Sequence, residues 1–272
     1  MTIINLYKTL KFISENKNIH KPNTKLFKLY KKKFDNKFIK KKFKKLEIQI
    51  APNIKKIIIP YYKMGNLNCS YLFGFNELII MSYYLFNNNN YKKVIDIGAN
   101  IGVHSIIFSR LNYKVKSFEP DDNNFIELKS NINLNKIKNI NLNKMAISKS
   151  KGYKNFVRVC GNTTGNHLQG KKIPYGKLEI FKVKTDQLKK YLKGVDFVKI
   201  DAEGSEIDIL KKLNKQNFID TEFLIELNSK DNAKKLLKLS KNYNLNLFSQ
   251  KIAWKKVSRI EQLPHHHSYG SV

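Results

Sequence analysis

The sequence predicts an α/β fold built on an open sheet of parallel strands, and three features of the chain point to it. Val94-Ile95-Asp96-Ile97 is a short apolar strand that runs straight into the glycine turn Gly98-Ala99-Asn100-Ile101-Gly102. A helical pattern follows at once, with Val103, Ile106, Ile107, Phe108 and Leu111 on its apolar positions. Two further apolar runs, Lys114 to Phe118 and Val195 to Ile200, end in the acids Glu119 and Asp201. Strand, glycine turn and helix in succession is the form of a nucleotide-cofactor site, and such sheets bind ligands at the carboxyl ends of their strands.

The spacing of the turn is D-x-G-x-N-x-G, which is neither the dinucleotide G-x-G-x-x-G nor a P-loop with its Lys-Ser/Thr. A loop that cradles phosphate avoids a carboxylate beside the anion. Asp96, two residues before the first glycine, suits a cationic ligand with a free amino group, such as the methionine end of S-adenosylmethionine. Gly98 and Gly102 let the backbone turn tightly and lie against that ligand. Glu119-Pro120 closes the next strand, where an acid can take both ribose hydroxyls of an adenosine. Ala99 and Asn100 complete the loop, and Ala146, at the end of a third run near Ile140 to Ile147, falls where an adenine ring is flanked.

Composition narrows the class. The chain has 272 residues and 42% hydrophobic residues, enough for one α/β domain with an N-terminal extension. No apolar run approaches the roughly 20 residues needed to span a bilayer. Met1 to Ile19 has spaced apolar residues and no signal-peptide core, and the two cysteines, Cys69 and Cys160, give no disulfide framework, so a cytoplasmic location is expected. The formal charge of +31 invites a nucleic-acid reading, yet only Arg110, Arg158 and Arg259 among 52 basic residues are arginine, the preferred residue for bidentate phosphate contacts. Residues 1–50 hold 15 lysines against Glu15, Asp35 and Glu47. They read as a basic helical extension. Its stretch 20–45 interleaves lysines with Phe34, Phe38, Ile39 and Phe43. That stretch either meets an anionic surface, lipid or nucleic acid, or is a solvated basic helix that packs its aromatic stripe on the domain.

The remaining 51–272 reads as one domain. Ile57-Ile58-Ile59-Pro60 is a short edge-like run, Phe73 to Phe86 is helical, and Asn87 to Asn90 is a polar turn. Asp122 opens a helix carrying Phe125, Leu128, Ile132 and Leu134. Residues 149–184 break the rhythm. Tyr153 to Val159 and Leu178 to Val183 alternate as strands around a polar loop, a β-rich insertion placed to supply substrate contacts through Asn162, Asn166 and His167. Glu222 to Leu227 is a fifth strand, Asp231 to Tyr243 a Lys-rich helix, and Leu245 to Ile252 and Ala253 to Ile260 two final strands.

Parallel strands share one carboxyl edge, so Asp96, Glu119, Asp201, Glu203 and Glu226 should crowd one cleft. Five of only 21 acids in a Lys-rich chain are informative there. Asp201, Glu203 and Glu226 are the candidate catalytic bases. Glu203 and Glu206 also suit a helix N-terminus. No His or Cys spacing supports a metal site, and His104 sits just inside the first helix.

The segments Asp96-Ile97-Gly98-Ala99-Asn100-Ile101-Gly102, Phe118-Glu119-Pro120, Ala146-Ile147-Ser148, Thr185-Asp186-Gln187-Leu188 and Val198-Lys199-Ile200-Asp201-Ala202-Glu203-Gly204-Ser205-Glu206 resemble the FkbM-type S-adenosylmethionine-dependent methyltransferases, in order over about residues 70–250. The resemblance implies a Rossmann-like class I methyltransferase fold: a seven-stranded, mostly parallel sheet, helices on both faces and an antiparallel last strand. It implies S-adenosyl-L-methionine as cofactor and O-methylation of a sugar, glycan or related small molecule. Two other readings stay open. One is an RNA ribose 2′-O-methyltransferase, with Asp201 and Glu226 in a Lys-Asp-Lys-Glu set. The other is a basic binding module on a degenerate methyltransferase fold. The acceptor and the oligomeric state are not set by the sequence.

Overall fold

The computed structural model describes residues 2–86, 91–266 and 270–272. Five strands form the main sheet in the spatial order Glu222–Ile225, Phe197–Ile200, Lys93–Ile97, Lys114–Phe118 and Ile140–Asn143, and every pairing is parallel. The chain enters at the centre with Lys93–Ile97, steps out through two strands to one edge, and then returns to the other side at Phe197–Ile200. Strand order therefore reverses between Lys93–Ile97 and Phe197–Ile200, which is where an open α/β sheet opens a crevice at its carboxyl edge. Val94 to Ile97 and Phe197 to Ile200 are buried on both faces, and this is why they read as nearly unbroken apolar runs.

The resemblance implied seven strands; among the described residues the parallel sheet has five. The antiparallel last strand is reduced to a bridge between Glu226 and Ser271, with Ile225 and Val272 exchanging backbone hydrogen bonds of 2.8 and 2.9 Å. The two expected final strands shrink to Phe248–Ser249 and Lys255–Lys256, paired antiparallel. Between them Ser249 accepts from Lys251 N and starts a single 3₁₀ turn, and Ala253 and Trp254 take positive φ, which ends any extended run. The third strand also divides. Ile140–Asn143 stays in the main sheet, while Ala146–Ile147 joins a second sheet beside Leu178–Asp186. That sheet holds the insertion: Gly152–Val159 pairs antiparallel with Leu178–Asp186 along its whole length and with His167–Leu168 on its other side.

Residues 1–50 hold two helices, Tyr7–Glu15 and Lys25–Phe38, but also strands. Thr2–Asn5 pairs parallel with Lys45–Gln49, which pairs antiparallel with Ile57–Pro60, so the expected division at residue 50 runs through a three-stranded sheet. Leu6, Leu10, Ile13, Phe27 and Phe34 share one apolar core with Phe75, Leu78, Ile106 and Phe108. The aromatic stripe faces inward, with the Phe27 and Phe34 rings 5.2 and 5.5 Å from Phe75. Asp35 Oδ1 accepts from Phe75 N at 2.8 Å and fixes the start of the Phe75–Phe86 helix. The polar turn expected at Asn87 to Asn90 lies outside the described residues. No described helix is long and apolar enough to cross a membrane.

A shared core has a measurable consequence. Leu10 is fully buried in it, so Leu10→Ala is expected to lower the stability of the whole chain by about 2–5 kcal/mol in chemical denaturation. An extension that folded separately would leave the main transition unmoved.

Candidate active site

A cavity of about 470 Å³ opens at the carboxyl edge of the main sheet, and Gly98, Ala99, Asn100, Glu119, Pro120 and Ala146 line one side of it. Gly98 N and Ala99 N both donate to Phe118 O, at 3.0 and 3.1 Å, which ties the loop to the neighbouring strand. Gly98 has φ +77°, and a Cβ there would stand 1.9 Å from Asp201 O, so no side chain fits between the two central strand ends. Asn100, with φ +51°, turns its N–H onto Glu119 Oε2 at 2.8 Å, and Asp121 N donates to Glu119 Oε1 at 2.9 Å. Glu119 is thus held rigidly, almost wholly buried. Burial pushes its carboxyl up to about 8, although the two N–H donors pull against that shift.

Two expected cofactor residues lie elsewhere. Asp96 is fully buried beneath the loop and is absent from the cavity wall. Its Oδ2 accepts from Ser105 Oγ at 2.6 Å, Ser117 Oγ lies 2.7 Å from Ser105 Oγ, and Lys199 Nζ lies 3.7 Å from its Oδ1. The acid before the glycines is therefore paired with a core lysine beneath the loop. Gly102 also leaves the wall. At φ +91°, a Cβ on it would stand 2.3 Å from Leu128 Cδ1, so its task is close packing of the Val103–Arg110 helix on the Asp122–Leu134 helix.

Asp201, Glu203 and Glu226 line the opposite side of the cavity, together as expected. Glu226 is brought there by its N–H, which donates to Ile200 O at 3.0 Å. Glu203 Oε2 accepts from Lys172 Nζ at 2.8 Å and from Asn228 Nδ2 at 2.9 Å. Burial, and then the charge of Asp201, raise the Glu203 carboxyl to about 7. Burial, Asp201 and Glu203 hold Glu226 well above the usual carboxylate range. Lys199 Nζ is 3.5 Å from Asp201 Oδ2; burial opposes its charge, but Asp201, Asp96, Glu77 and Glu226 outweigh burial and keep it cationic. Glu206 is the helix-start acid: its Oε1 accepts from Ala202 N and Gly204 N and closes the turn.

The insertion contributes Asn162 and Asn166 to the wall, but not His167. His167 is buried, and its Nδ1–H donates to Gly165 O at 2.9 Å. Asn166 spends its amide internally, accepting from Val159 N and donating to Asp121 Oδ2. Asn162 likewise accepts from Thr164 N and Oγ1 and donates to Tyr175 Oη at 3.3 Å. The wall also holds residues that the sequence does not mark as site residues, among them Lys172, Lys199, and the pair Glu77 and His104. Lys199 had a signal, a lysine inside the apolar run Val198-Lys199-Ile200. Among the described residues no group of His, Cys, Asp and Glu has the arrangement of a metal site.

The Glu119 carboxyl sets a pH dependence. Its folded pKa of about 8 lies above the ordinary 4.5, so the unfolded chain loses that proton first as pH rises. Between those values the native state binds more protons, and stability falls with rising pH. Glu119→Gln is expected to flatten this fall when denaturation midpoints are compared at about pH 5 and about pH 8.5; an unchanged slope would contradict the assignment.

The sequence profile of the methyltransferase FkbM domain matches residues 96–244. No curated protein sequence gives a match. Several solved structures are similar at low identity. The N-terminal domain of human METTL16 in complex with SAH is 16% identical, covering 62% of this chain and 60% of that one, with a TM-score of 0.36. The human methyltransferase 10 domain containing protein is 14% identical over 79% and 82%, with a TM-score of 0.38. SMU.1697c, a putative methyltransferase from Streptococcus mutans in complex with SAH, is 12% identical over 69% and 93%, with a TM-score of 0.40. The matched profile spans more than half of the chain and contains the glycine loop, Glu119 and the Asp201-Glu203 turn, and the chain belongs to the FkbM methyltransferase family.

Proposed function

We propose that the protein transfers a methyl group from S-adenosyl-L-methionine to a hydroxyl of a sugar, glycan or related small molecule. The observation that carries this reading is one cavity lined at once by the glycine loop, by Glu119 and by the acids Asp201, Glu203 and Glu226. The wall fits an adenosyl ligand. Glu119 is a buried carboxyl with no cation on it among the described residues, and ribose hydroxyls would supply donors to its charged form. Phe118, Met145 and Ile147 give an apolar face beside Ala146. Asn124 Oδ1, buried in the same wall, has no hydrogen-bond partner among the described residues and can accept from a ligand N–H.

When bound, S-adenosyl-L-methionine supplies a methyl group already activated by its sulfonium charge. The protein then has to align the acceptor oxygen and take its proton. Glu203 is the best-placed base of the three acids: its carboxyl titrates near 7, and Lys172 and Asn228 hold it in one orientation. Burial, with Asp201 and Glu203 close by, raises the Glu226 carboxyl and favours its neutral, hydrogen-bond-donating form. Asp201, paired with Lys199, fixes the electrostatics between them. Thr163, whose buried Oγ1 has no partner among the described residues, and Tyr175 line the insertion side, where hydroxyl groups of a sugar would be read.

Lys25, Lys28, Lys32, Lys33 and Lys37 are exposed on the Lys25–Phe38 helix, and they support contact of residues 20–45 with an anionic surface. Two unlinked cysteines, Cys69 and Cys160, are in keeping with a reducing, cytoplasmic setting. The rival acceptor, an RNA ribose, is favoured by the net charge and by a wall that carries two lysines, Lys172 and Lys199, with Asp201 and Glu226.

Incubation with labelled S-adenosyl-L-methionine and a panel of glycans, small alcohols and RNAs tests the reading. Label in a glycan or small hydroxyl compound is expected; label in RNA alone would overturn the acceptor class. Glu203→Gln is expected to lower kcat by about 10²- to 10⁴-fold while leaving donor affinity intact. A base must be deprotonated, so wild-type kcat/KM should rise as pH passes upward through about 7, and the variant should lose that rise.

A further inference from the structure

The chain runs on past the family domain, and its last part returns to the cavity. Gln250, Gly270 and Ser271 lie after residue 244, and all three line the wall. Ser271 pairs with Glu226 across the antiparallel bridge, so this segment stands on the side of the three acids, away from the glycine loop. Gln250 begins a 3₁₀ turn and is 1% exposed. Two hydrogen bonds lock it to Ser271: Gln250 N donates to Ser271 O at 3.0 Å, and Ser271 N donates to Gln250 Oε1 at 3.1 Å. The second bond sets the orientation of the amide, because the Ser271 N–H can meet only its oxygen end. Gly270, at φ +84°, makes room for that amide; a Cβ on it would stand 2.1 Å from Oε1 and 2.7 Å from Nε2.

The nitrogen end is left over. Gln250 Nε2 is buried and has no hydrogen-bond partner among the described residues. A buried N–H without a partner is costly, and the bond to Ser271 keeps the amide from turning to find one. In a cavity wall such a group calls for an oxygen on the ligand. The glycine loop and Glu119, which fit the adenosyl ligand, stand across the cavity, so that oxygen belongs to the methyl acceptor. An amide takes no proton and carries no charge, so it is not the base. Its chemistry is to hold a second oxygen. Because Glu226 pairs with the same Ser271, the amide adjoins the acids that face the reacting hydroxyl. A simple alcohol engages the acids and leaves Nε2 bare. A sugar brings a further hydroxyl to it.

We propose that Gln250 is a specificity residue for the methyl acceptor: its Nε2–H donates to a second hydroxyl of the same sugar, near the one that is methylated, and so selects polyhydroxylated acceptors over simple alcohols. Gly270 and Ser271 hold the amide in place for this task. Acceptor choice thus draws on the segment after residue 244, outside the family domain. The inference rests on the reading of the protein as a methyltransferase of sugar hydroxyls.

The test uses the full chain, labelled S-adenosyl-L-methionine, methyl glycosides of the common hexoses and the monodeoxy derivatives of each. Gln250→Glu keeps an oxygen for the Ser271 N–H and replaces the free N–H by a second oxygen; Gln250→Met removes the amide without adding charge. For wild type, kcat/KM is expected to fall about tenfold or more on the one monodeoxy derivative that keeps the methylated hydroxyl but lacks the hydroxyl read by Nε2. Both variants are expected to lower the parent sugar to the level of that derivative, and to keep S-adenosylhomocysteine affinity by calorimetry within about twofold of wild type, which also shows that they are folded. Wild type indifferent to every monodeoxy change, an unchanged ratio of parent to derivative in the variants, or loss of S-adenosylhomocysteine binding in both variants overturns the role of Gln250 while leaving the methyl-transfer reading in place. Wild type that binds S-adenosylhomocysteine and labels no sugar of the panel overturns the sugar-acceptor reading and this inference with it.

Discussion

One buried cation organises the centre of the molecule. Lys199 lies on the Phe197–Ile200 strand directly opposite Asp96 on the neighbouring strand, with its Nζ 3.7 Å from Asp96 and 3.5 Å from Asp201. A carboxylate as deep as Asp96 is costly without a partner, and an unpaired lysine there would be equally so. Together with Ser105 and Ser117 they form a buried polar knot under the glycine loop, in which Asp96 Oδ2 accepts a hydrogen bond and Asp96 Oδ1 has only the ion pair with Lys199. The knot joins the two strands between which the sheet order reverses, so the loop after one strand and the acids after the other are set against each other. Gly98 packs so close to Asp201 O that a Cβ on it would stand 1.9 Å away.

A second anchor fixes the insertion side of the cavity. Asp121 accepts from Asn123 N and Asn124 N and caps the helix that follows Glu119. Its other oxygen accepts from Arg158 Nε at 2.7 Å and from Asn166 Nδ2 at 3.2 Å, both from the insertion. One carboxylate therefore starts the Asp122–Leu134 helix and holds the β-rich insertion over the cavity. Lys172 closes the same insertion onto Glu203 from the far end. Glu203 has φ +47°, and Gly204, at φ +102°, faces Lys171 O where a Cβ would stand 2.4 Å away, so the turn after Asp201 is as constrained as the glycine loop.

The parallel sheet, its order of strand ends and the family were legible because long apolar runs and acids at their ends are local signals. Glu119 and the Asp201, Glu203 and Glu226 group could be read from the rule that parallel strands share one edge. Side-chain direction could not. Asp96 occupies a strand position whose side chain points into the core, and a motif spacing does not state which neighbour claims it. His167 and Asn166 looked available because they lie in a polar loop, yet loop side chains are consumed by the loop's own backbone, as Gly165 O and Val159 N show. The final strands were overcounted because alternation persists across Ser249 to Trp254, where a 3₁₀ turn and two positive φ values intervene. The lysines of the N-terminal segment point to a basic helical extension that packs its aromatic stripe on the domain or meets an anionic surface. The segment's burial lies in the sparser apolar residues, Leu6, Leu10, Ile13 and Phe34, which complete the core of the domain.

Family membership, the buried carboxyl of Glu119 and the closeness of the two strand ends all bear on where an adenosyl ligand sits. The most direct measurement is a crystal structure of the protein with S-adenosylhomocysteine. Ribose hydroxyls within hydrogen-bond distance of Glu119 and a thioether facing the Asp201-Glu203 side are the predicted result. A nucleoside bound outside this cavity, or bound in it with Glu119 untouched, would contradict the assignment of the cavity as the methyl-donor site.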